Sequence, residues 1–399
     1  MTVTGMLSAI ERIGRDPKSG GYYRPVMSTA ELDLRTWFIG EAEARGLDVD
    51  TDRNGIIWAW WGAPRAGSVV TGSHLDSVPG GGAFDGPLGV AAALAAVDVL
   101  REREVQPARS LAIAVFPEEE GSRFGLACLG SRLLTGKITA DHARALTDRE
   151  GDTLADVFAR GGIDPRRIGR DDEALGRIGR FIELHIEQGR GLIDLNEPIA
   201  IASSVLGHGR WRVRVTGQGN HAGTTLMRDR SDPVVAAAAM VGAVSALTRE
   251  VDDARATVGR FEPFPGGTNV IASAVDFWLD ARHLDDATTR ALVARIAAAC
   301  EEIAAAHGCA VTVSEESWSP TVDFDAGVAR ELGAALPSAP LLGTGAGHDA
   351  GILSEFVPSG MLFTRNPSGI SHSPEEHAED ADANHSAVAL ADALQGMLR

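Results

Sequence analysis

Residues 72–90 read GSHLDSVPGGGAFDGPLGV, a segment in which one apolar run passes through a glycine-rich turn into a second. The run at 67–73 predicts a buried strand. The run from Pro87 to Arg103 predicts a buried helix with proline in its first turn. His74 then stands at the carboxyl end of the strand, the edge at which open α/β sheets bind ligands. This segment therefore predicts a strand, a functional loop and a helix within an α/β layer structure.

The segments around it continue this alternation of helices and strands. Amphipathic periodicity predicts helices at 3–14 and 29–46. A short apolar run follows at 55–61, and the run at 110–116 (SLAIAVF) has the length and composition of a buried strand. Strands and helices in alternation indicate an α/β architecture with a mostly parallel central sheet.

The hydrophobic pattern changes near residue 209. Residues 210–215 (RWRVRV) alternate polar and apolar side chains, as a half-exposed antiparallel strand does. The same region predicts further strands at 275–281 and 310–313 and helices at 232–247 and 285–307. Two helices on one face of a small antiparallel sheet would form an α+β domain.

After about residue 323 the first pattern returns, with predicted elements at 325–336, 360–364 and 384–398. We therefore expect two domains. Residues 1–208 and 323–399 would form a large α/β domain, and residues 209–322 would form a small α+β domain inserted into it.

The composition limits the classes of partner. The chain has 399 residues, with 37 basic and 55 acidic side chains and a net charge of −18, which suits neither nucleic acid nor another polyphosphate. The first residues show no secretory signal, no apolar run reaches about 18 residues, and the odd cysteine count predicts no disulfide framework. We expect a cytoplasmic protein with no nucleic-acid or membrane partner.

The segment at 72–90 also carries candidate metal ligands. Asp76 is close enough to His74 to orient its imidazole, and Asp85 has two oxygens that could bridge two cations. The alternative is a common glycine-rich loop with a structural histidine. The combination of HxD with GGGxxDG favours a metal site.

Three later segments add to this set. FPEEEGSRF at 116–124 is either a solvated acidic loop or a cluster of carboxylates whose repulsion a cation relieves. FIELHIEQG at 181–189 supplies His185, and GISHSPE at 369–375 supplies His372. Together these residues could hold two divalent cations, Zn, Mn, Co or Ni, with a spare carboxylate to move protons.

In this order the four segments resemble the M20 family of metallopeptidases. The closest likeness is to its amidase branch of allantoate amidohydrolases, N-carbamoyl-L-amino-acid hydrolases and β-ureidopropionases. The resemblance covers essentially the whole chain and includes GNHAGTT at 219–225 and GAGHDA at 345–350. A histidine in ELHIEQG distinguishes this branch from the peptidases of the family. The resemblance implies a zinc-peptidase-like catalytic domain and an inserted lid domain that forms a homodimer.

The resemblance also implies roles for individual residues. The first metal ion would bind His74, Asp85 and His185, and the second would bind Asp85, Glu120 and His372. Glu119 would be the general base, and Asp76 would support His74. Gln188, Gly347 and His348 match substrate-contact positions.

In the inserted domain, the resemblance implies that His221 reaches a neighbouring subunit's active site and polarises the scissile carbonyl. Asn269 and Arg282 would bind the substrate carboxylate, for which the guanidinium fork is well suited. From the sequence alone, His221 could equally be a turn histidine and Arg282 a surface residue.

The chain departs from the branch pattern at three places. His208 stands where the branch usually has glutamine, and we expect it to contact substrate. NVIAS, with Ala272 and Ser273, replaces NVIPG, and Arg365 follows the strand near residue 363. His208 and Arg365 could alter the choice of substrate.

These features predict hydrolysis of the ureido or carbamoyl C–N bond of a small carboxylate substrate, with allantoate placed first. The alternatives are N-carbamoyl-, N-formyl- or N-formimino-amino acids. His185 argues against a dipeptidase or aminoacylase. A catalytically silent binding protein on the same fold is a different class, and the complete set of ligands and base argues against it.

Overall fold

A computed structural model describes residues 2–399 and divides the chain into two compact units. The larger unit comprises the residues up to Val205 together with Asp323–Arg399, and the inserted unit comprises Leu206–Val322. The inserted unit thus begins three residues before the expected position 209. The reason is that Gly207 already pairs with His283 in the sheet of that unit.

The strands and helices are numbered along the chain. The strands are β1 (Asp48–Thr51), β2 (Ile57–Trp61), β3 (Ser68–His74), β4 (Leu111–Phe116), β5 (Ile178–Ile186), β6 (Ile199–Val205), β7 (Gly207–Thr216), β8 (Asn220–His221), β9 (Arg255–Phe264), β10 (Val270–Ile271), β11 (Ala274–His283), β12 (Ala310–Ser319), β13 (Val322–Asp323), β14 (Leu341–Thr344) and β15 (Ser359–Thr364). The helices are α1 (Val3–Ile10), α2 (Thr29–Ala44), α3 (Pro87–Glu102), α4 (Leu129–Thr135), α5 (Ala140–Ala145), α6 (Leu154–Arg160), α7 (Asp172–Arg177), α8 (Gly191–Leu195), α9 (Pro233–Thr248), α10 (Asp286–Ala306), α11 (Ala326–Ala335), α12 (Asp349–Leu353) and α13 (Asp380–Met397).

The larger unit is built on one sheet in which the strands follow the order β1-β2-β4-β3-β5-β15-β6. The four central strands β4, β3, β5 and β15 run parallel to one another. The outer strands β1, β2 and β6 join by antiparallel pairing. The predicted α/β class with a mostly parallel central sheet is confirmed, and the parallel strands bring their carboxyl ends to one edge.

Helix α3 packs directly on the centre of this sheet, which explains why its sequence is almost all small and apolar. Its residues from Pro87 to Val97 are buried. A side chain at Gly89 would place its Cβ 2.1 Å from the carbonyl oxygen of Leu184 in β5. Glycine therefore lets the first turn of α3 approach the strand that carries His185.

The inserted unit is an antiparallel sheet in the order β12-β7-β11-β9, packed against α9 and α10. The alternation in RWRVRV appears directly in β7, where Trp211, Val213 and Val215 are buried and the intervening arginines are more exposed. The core of this unit continues through Phe277 and Ile296. The predicted α+β class is confirmed for this unit.

Several element boundaries differ from the predictions. Helix α1 ends at Ile10, short of the predicted residue 14, because the buried guanidinium of Arg24 donates to the carbonyl oxygens of Ile10 and Ile13. Strand β12 extends to Ser319 since it pairs along the length of β7. The short helices α4 to α8 were not anticipated. Among residues 2–399, no helix combines the length and apolar character that crossing a bilayer requires.

Candidate active site

The first candidate metal-binding group joins β3, the glycine-rich loop and β5. Gly72 of β3 is paired with Glu183 of β5, so that His74 and His185, each two residues further on, lie side by side. Their Nε2 atoms are 3.4 Å apart, and both face Oδ1 of Asp85 at 3.3 and 3.1 Å. One ligand atom from each of these residues lies within 4.8 Å of the others.

The outer nitrogens of both imidazoles contact backbone carbonyls. Nδ1 of His74 is 3.1 Å from the carbonyl oxygen of Asp76, and Nδ1 of His185 is 2.9 Å from that of Ile186. A carbonyl can only accept, so each Nδ1 carries a proton, and Nε2 is the nitrogen of each ring that could bind a cation. Two Nε2 atoms directed at the same buried carboxylate oxygen are the arrangement that a cation between them would require.

The second group uses the other oxygen of Asp85. Nε2 of His372 lies 3.5 Å from Oδ2 of Asp85 and 3.3 Å from Oε2 of Glu120. These three residues again offer ligand atoms within 4.8 Å of one another. His372 is half exposed, whereas Asp85 is buried, so this second group lies on the more open side. Asp85 is common to both groups, and its two oxygens face one group each.

Glu119 lies beside the first group without belonging to either group. Its Oε2 is 3.6 Å from Nε2 of His74, and its Oε1 is 3.8 Å from Nδ1 of His348. The carboxylate of Asp76 accepts hydrogen bonds from the backbone N–H groups of Glu119 and Glu120, both at 3.1 Å. Asp76 therefore positions both glutamates as well as His74, which it contacts chiefly through its backbone carbonyl.

The carboxylates of this site carry negative charge that the chain does not neutralise with lysine or arginine. Among residues 2–399, neither side chain type comes within 4.0 Å of Asp85, Glu119 or Glu120. Burial raises the pKa of Glu119 well above its ordinary value and that of Glu120 to about 8. Burial also opposes ionisation of Asp85, but the charge and hydrogen bond of His185 hold the pKa of Asp85 well below its ordinary value.

The donor set fits two divalent cations. Three imidazole nitrogens and the oxygens of Asp85 and Glu120 converge in two adjacent groups that share one carboxylate. Imidazole and carboxylate suit Zn, Mn, Co and Ni. Two cations here would also offset the uncompensated negative charge, which otherwise costs free energy in a buried site.

Two further predicted residues lie at the same sheet edge. Nε2 of Gln188 donates to Oδ2 of Asp85 at 2.7 Å and is 3.4 Å from Nε2 of His372. The ring of His348, directly after Gly347, lies 4.5 Å from that of His185. His348 is buried, and neither of its ring nitrogens has a hydrogen-bond partner. Burial and the charge of His185 hold the pKa of His348 well below its ordinary value, so it is neutral.

The candidate residues of the inserted unit form two separate pairs. His208 of β7 lies opposite Arg282 of β11. His221 of β8 lies opposite Val270, and the carbonyl of the neighbouring Asn269 accepts from the N–H of Ala222. Strand β11 separates the pairs.

The nine residues of this strand from Ala274 to Arg282, separated by eight steps of about 3.3 Å, span about 26 Å. Within one chain, Asn269 and Arg282 are therefore too far apart to contact the same small carboxylate.

Arg282 and the side chains at two of the three departures, Arg365 and Ser273, have local partners. Arg282 donates to the carboxylate of Asp280 through Nε and Nη2. Arg365 donates to Asp382 at 2.8 and 3.2 Å, an ion pair that joins the end of β15 to α13. Ser273 donates from Oγ to the carbonyl of Phe264. Arg365 thus has a structural partner within the larger unit.

Two buried glutamates at the site were missed by the sequence reasoning. Glu183 of β5 accepts a hydrogen bond from the hydroxyl of Ser73 in β3 and another from the N–H of Ala350 in α12. Glu376 accepts from the N–H groups of Phe84 and Asp85. Glu183 was inside a quoted motif, and its position two residues before His185, on the same face of β5, was a usable signal. Nothing in SHSPEE distinguishes Glu376 from its neighbour.

Comparison with known proteins places this geometry in a family. Residues 70–396 match the model of peptidase family M20/M25/M40. An N-carbamoyl-L-amino-acid amidohydrolase of Pseudomonas sp. (strain NS671) is 35% identical over 384 residues, covering 94% of this chain and 93% of that protein. An allantoate amidohydrolase of Escherichia coli (strain K12) is 30% identical, covering 96% and 94%.

A solved structure shows the same likeness in three dimensions. The crystal structure of an amidase of the hydantoinase/carbamoylase family from Burkholderia multivorans superposes with a TM-score of 0.86 at 29% identity, covering 99% of this chain and 97% of that one. The match extends over both units. The chain belongs to peptidase family M20/M25/M40, in its amidohydrolase branch, and is a hydrolase acting on C–N amide bonds.

Proposed function

We propose that this chain hydrolyses the carbamoyl C–N bond of a small N-carbamoyl-amino acid with the help of two divalent cations. The observation that carries the proposal is the pair of ligand groups sharing Asp85, with Glu119 beside them and outside both groups. The reaction would add water across the bond and release the free amino acid. The carbamate formed with it decomposes to carbon dioxide and ammonia.

The residues of the site have complementary tasks in this reaction. Cations bound by His74, Asp85, His185, Glu120 and His372 would supply Lewis acidity that activates water and polarises the scissile carbonyl. The carboxylate of Glu119 takes the proton from the attacking water and delivers it to the leaving nitrogen. His348 is neutral and its nitrogens are unpartnered, so it can offer a hydrogen bond to bound substrate.

Allantoate is the second candidate substrate, and a specific observation supports it. Allantoate also carries a ureido group and one carboxylate, and the Escherichia coli allantoate amidohydrolase resembles this chain over nearly its whole length. From the sequence we expected allantoate as the first candidate. We now propose an N-carbamoyl-amino acid first, supported by the higher identity to the Pseudomonas N-carbamoyl-L-amino-acid amidohydrolase.

The substrate carboxylate would be held by residues of the inserted unit. Arg282 offers a guanidinium fork beside His208, and His221 with Asn269 forms the other pair, beyond the opposite end of β11. One chain cannot apply both pairs to one small substrate. We therefore propose a homodimer, formed through the inserted unit, in which His221 of one protomer polarises the carbonyl bound by its partner.

A substrate panel tests the proposal directly. The protein, purified without chelator, would be assayed for ammonia release from N-carbamoyl-L-amino acids and allantoate, and for release of free amino acid from N-formylglutamate and dipeptides, after addition of Mn, Co, Ni or Zn. We expect about two metal ions per chain and the highest kcat/KM on an N-carbamoyl-L-amino acid. Fewer than one metal ion per chain and no turnover with any added metal would instead support a silent binding protein. Turnover confined to dipeptides would place the chain with the peptidases.

A further inference from the structure

We propose that Glu376 is a positioning residue that holds the shared ligand Asp85 in place and thereby sets the affinity of both cation sites. This inference rests on the proposed two-cation centre and extends it to a residue outside both ligand groups. Glu376 lies four residues after His372 and 291 residues after Asp85, to which it is connected by hydrogen bonds.

One carboxylate oxygen of Glu376 fixes the backbone of the glycine-rich loop. Its Oε1 accepts from the N–H of Phe84 at 3.0 Å and from the N–H of Asp85 at 2.9 Å. Glu376 is buried, with 4% of its surface exposed. Hydrogen bonds to a buried carboxylate are stronger than those between neutral groups, so this contact defines where the Cα of Asp85 sits.

The second oxygen connects the same loop to the turn that carries His372. The hydroxyl of Ser371 lies 3.3 Å from Oε2 of Glu376 and 3.4 Å from Oδ2 of Asp85. The N–H of Glu376 donates to the carbonyl of Ser373, which closes the turn after His372. Glu376 thus ties together two segments that each supply a ligand of the second group.

The glycine-rich sequence leaves room for this carboxylate. A Cβ at Gly82 would lie 2.3 Å from Oε1 of Glu376 and 2.5 Å from its Cβ. The backbone φ of Gly82 is not in the left-handed region, so an alanine there is excluded by the glutamate and not by backbone strain. The loop therefore requires glycine at 82 as long as Glu376 occupies its position.

The consequence for metal binding follows from the shared ligand. Asp85 presents one oxygen to each group, so any loss of its anchorage should weaken both sites together. Loss of an outer partner of a metal ligand typically lowers affinity about 10- to 100-fold. A residue that merely stabilised the turn after His372 would weaken the second site alone.

The test uses Glu376→Ala, Glu376→Gln and Gly82→Ala in the full chain, with Glu375→Gln as the matched control. Glu375 is the exposed neighbour of Glu376; its carboxylate accepts from the hydroxyl of Ser373, and its backbone carbonyl, which the substitution keeps, accepts from Ser368. Zn²⁺ affinity and stoichiometry would be measured by competition with a chromogenic chelator, and folding by circular dichroism.

We expect Glu376→Ala and Gly82→Ala to bind both zinc ions about 10- to 100-fold more weakly than the wild type. Glu376→Gln should lose less, because an amide oxygen can still accept from both N–H groups, and Glu375→Gln should match the wild type. Excess Zn²⁺ should restore most of the turnover of each variant. Because bound zinc also stabilises the folded state, circular dichroism of the metal-free variants separates weaker binding from loss of structure.

The outcomes separate this inference from the proposed function. A wild type that binds two zinc ions, with Glu376→Ala and Gly82→Ala binding as tightly, overturns the positioning role alone. Weakening of only one site in these variants also overturns it. A wild type that binds no zinc overturns the two-cation centre itself. Should Glu376→Ala fail to fold, Gly82→Ala decides the question, since it displaces the carboxylate without removing it.

Discussion

Carboxylates in the sheet of the inserted unit pair with arginines of the chain, whereas those of the candidate active site in the larger unit do not. In the sheet of the inserted unit, buried Asp276 lies 2.5 Å from a guanidinium nitrogen of Arg212 and 3.4 Å from one of Arg214. Burial alone would raise the pKa of Asp280, but the hydrogen bonds and charge of Arg282 outweigh it and lower that pKa. At the strand ends of the larger unit, burial raises the pKa of Glu119 and Glu120, and no arginine or lysine of the described chain contacts them.

The two sets of carboxylates differ in the source of the cation that balances them. An ion pair supplied by the chain makes the acids of the inserted unit part of its folded structure. Among the described residues, the acids of the candidate site contact no lysine or arginine, at a cost in free energy that a purely structural site would not need. Such a site is prepared for a charge that arrives from outside the chain.

The strongest test of this contrast compares two adjacent glutamates. Glu119→Gln should lower kcat by about 10²- to 10⁴-fold with metal content unchanged, because the residue moves protons and belongs to neither ligand group. Glu120→Gln should instead lose one metal ion. Steady-state kinetics and elemental analysis of both variants provide the check. Near-normal turnover of Glu119→Gln would contradict its role as the base.

Removal of metal should affect the two units unequally. Bound cations stabilise the folded state by about 4 kcal/mol when free metal is at 1,000 times Kd. Hydrogen exchange should therefore accelerate in β3 and β5 after chelation, while exchange in β7 and β11 stays the same. Equal acceleration of hydrogen exchange in both units would contradict this prediction.

The pH dependence of metal binding should reveal the raised pKa of Glu120. With its pKa at about 8 in the metal-free chain, Glu120 carries a proton at pH 7 that a cation must displace. Metal affinity should then rise about tenfold per pH unit up to pH 8 and flatten above it. Calorimetric titrations at several pH values would measure this, and a pH-independent affinity would contradict it. In Glu120→Gln the slope should fall.

The smallest expected effect concerns the inserted unit. Asp276→Asn should lower its free energy of unfolding by about 1 kcal/mol, since Asp276 is buried but Arg212 and Arg214 remain partly exposed and can be solvated. Metal content should not change. Thermal unfolding with elemental analysis would test both statements, and lost metal would show that the two sets of acids are not independent.

The candidate metal ligands were predictable from the sequence because they lie in recognisable motifs. His74 and His185 stand at the ends of apolar strands, Asp85 and His372 lie in loops that follow strands, and parallel strands bring their carboxyl ends to one edge. The class of each unit was also predictable from the sequence, because β7 alternates with a period of two and α3 does not.

Other features depend on partners that motifs do not show. The carboxylate of Asp76 binds backbone N–H groups, which any residue could supply, so its link to Glu119 and Glu120 was not visible. Arg282 was expected to bind the substrate carboxylate, and its hydrogen bonds to Asp280 within the sheet were not visible from the sequence. The separation of Asn269 from Arg282 follows from the extended strand between them.

The candidate ligands are far apart along the chain, with His74 on β3 and His372 after β15. A nascent polypeptide therefore lacks the full set of donors until residue 372 has been synthesised. The proposed two-cation centre would then be filled only once most of the larger unit can fold, by whichever ion is freely exchangeable around the chain at that moment, since imidazole and carboxylate donors accept several.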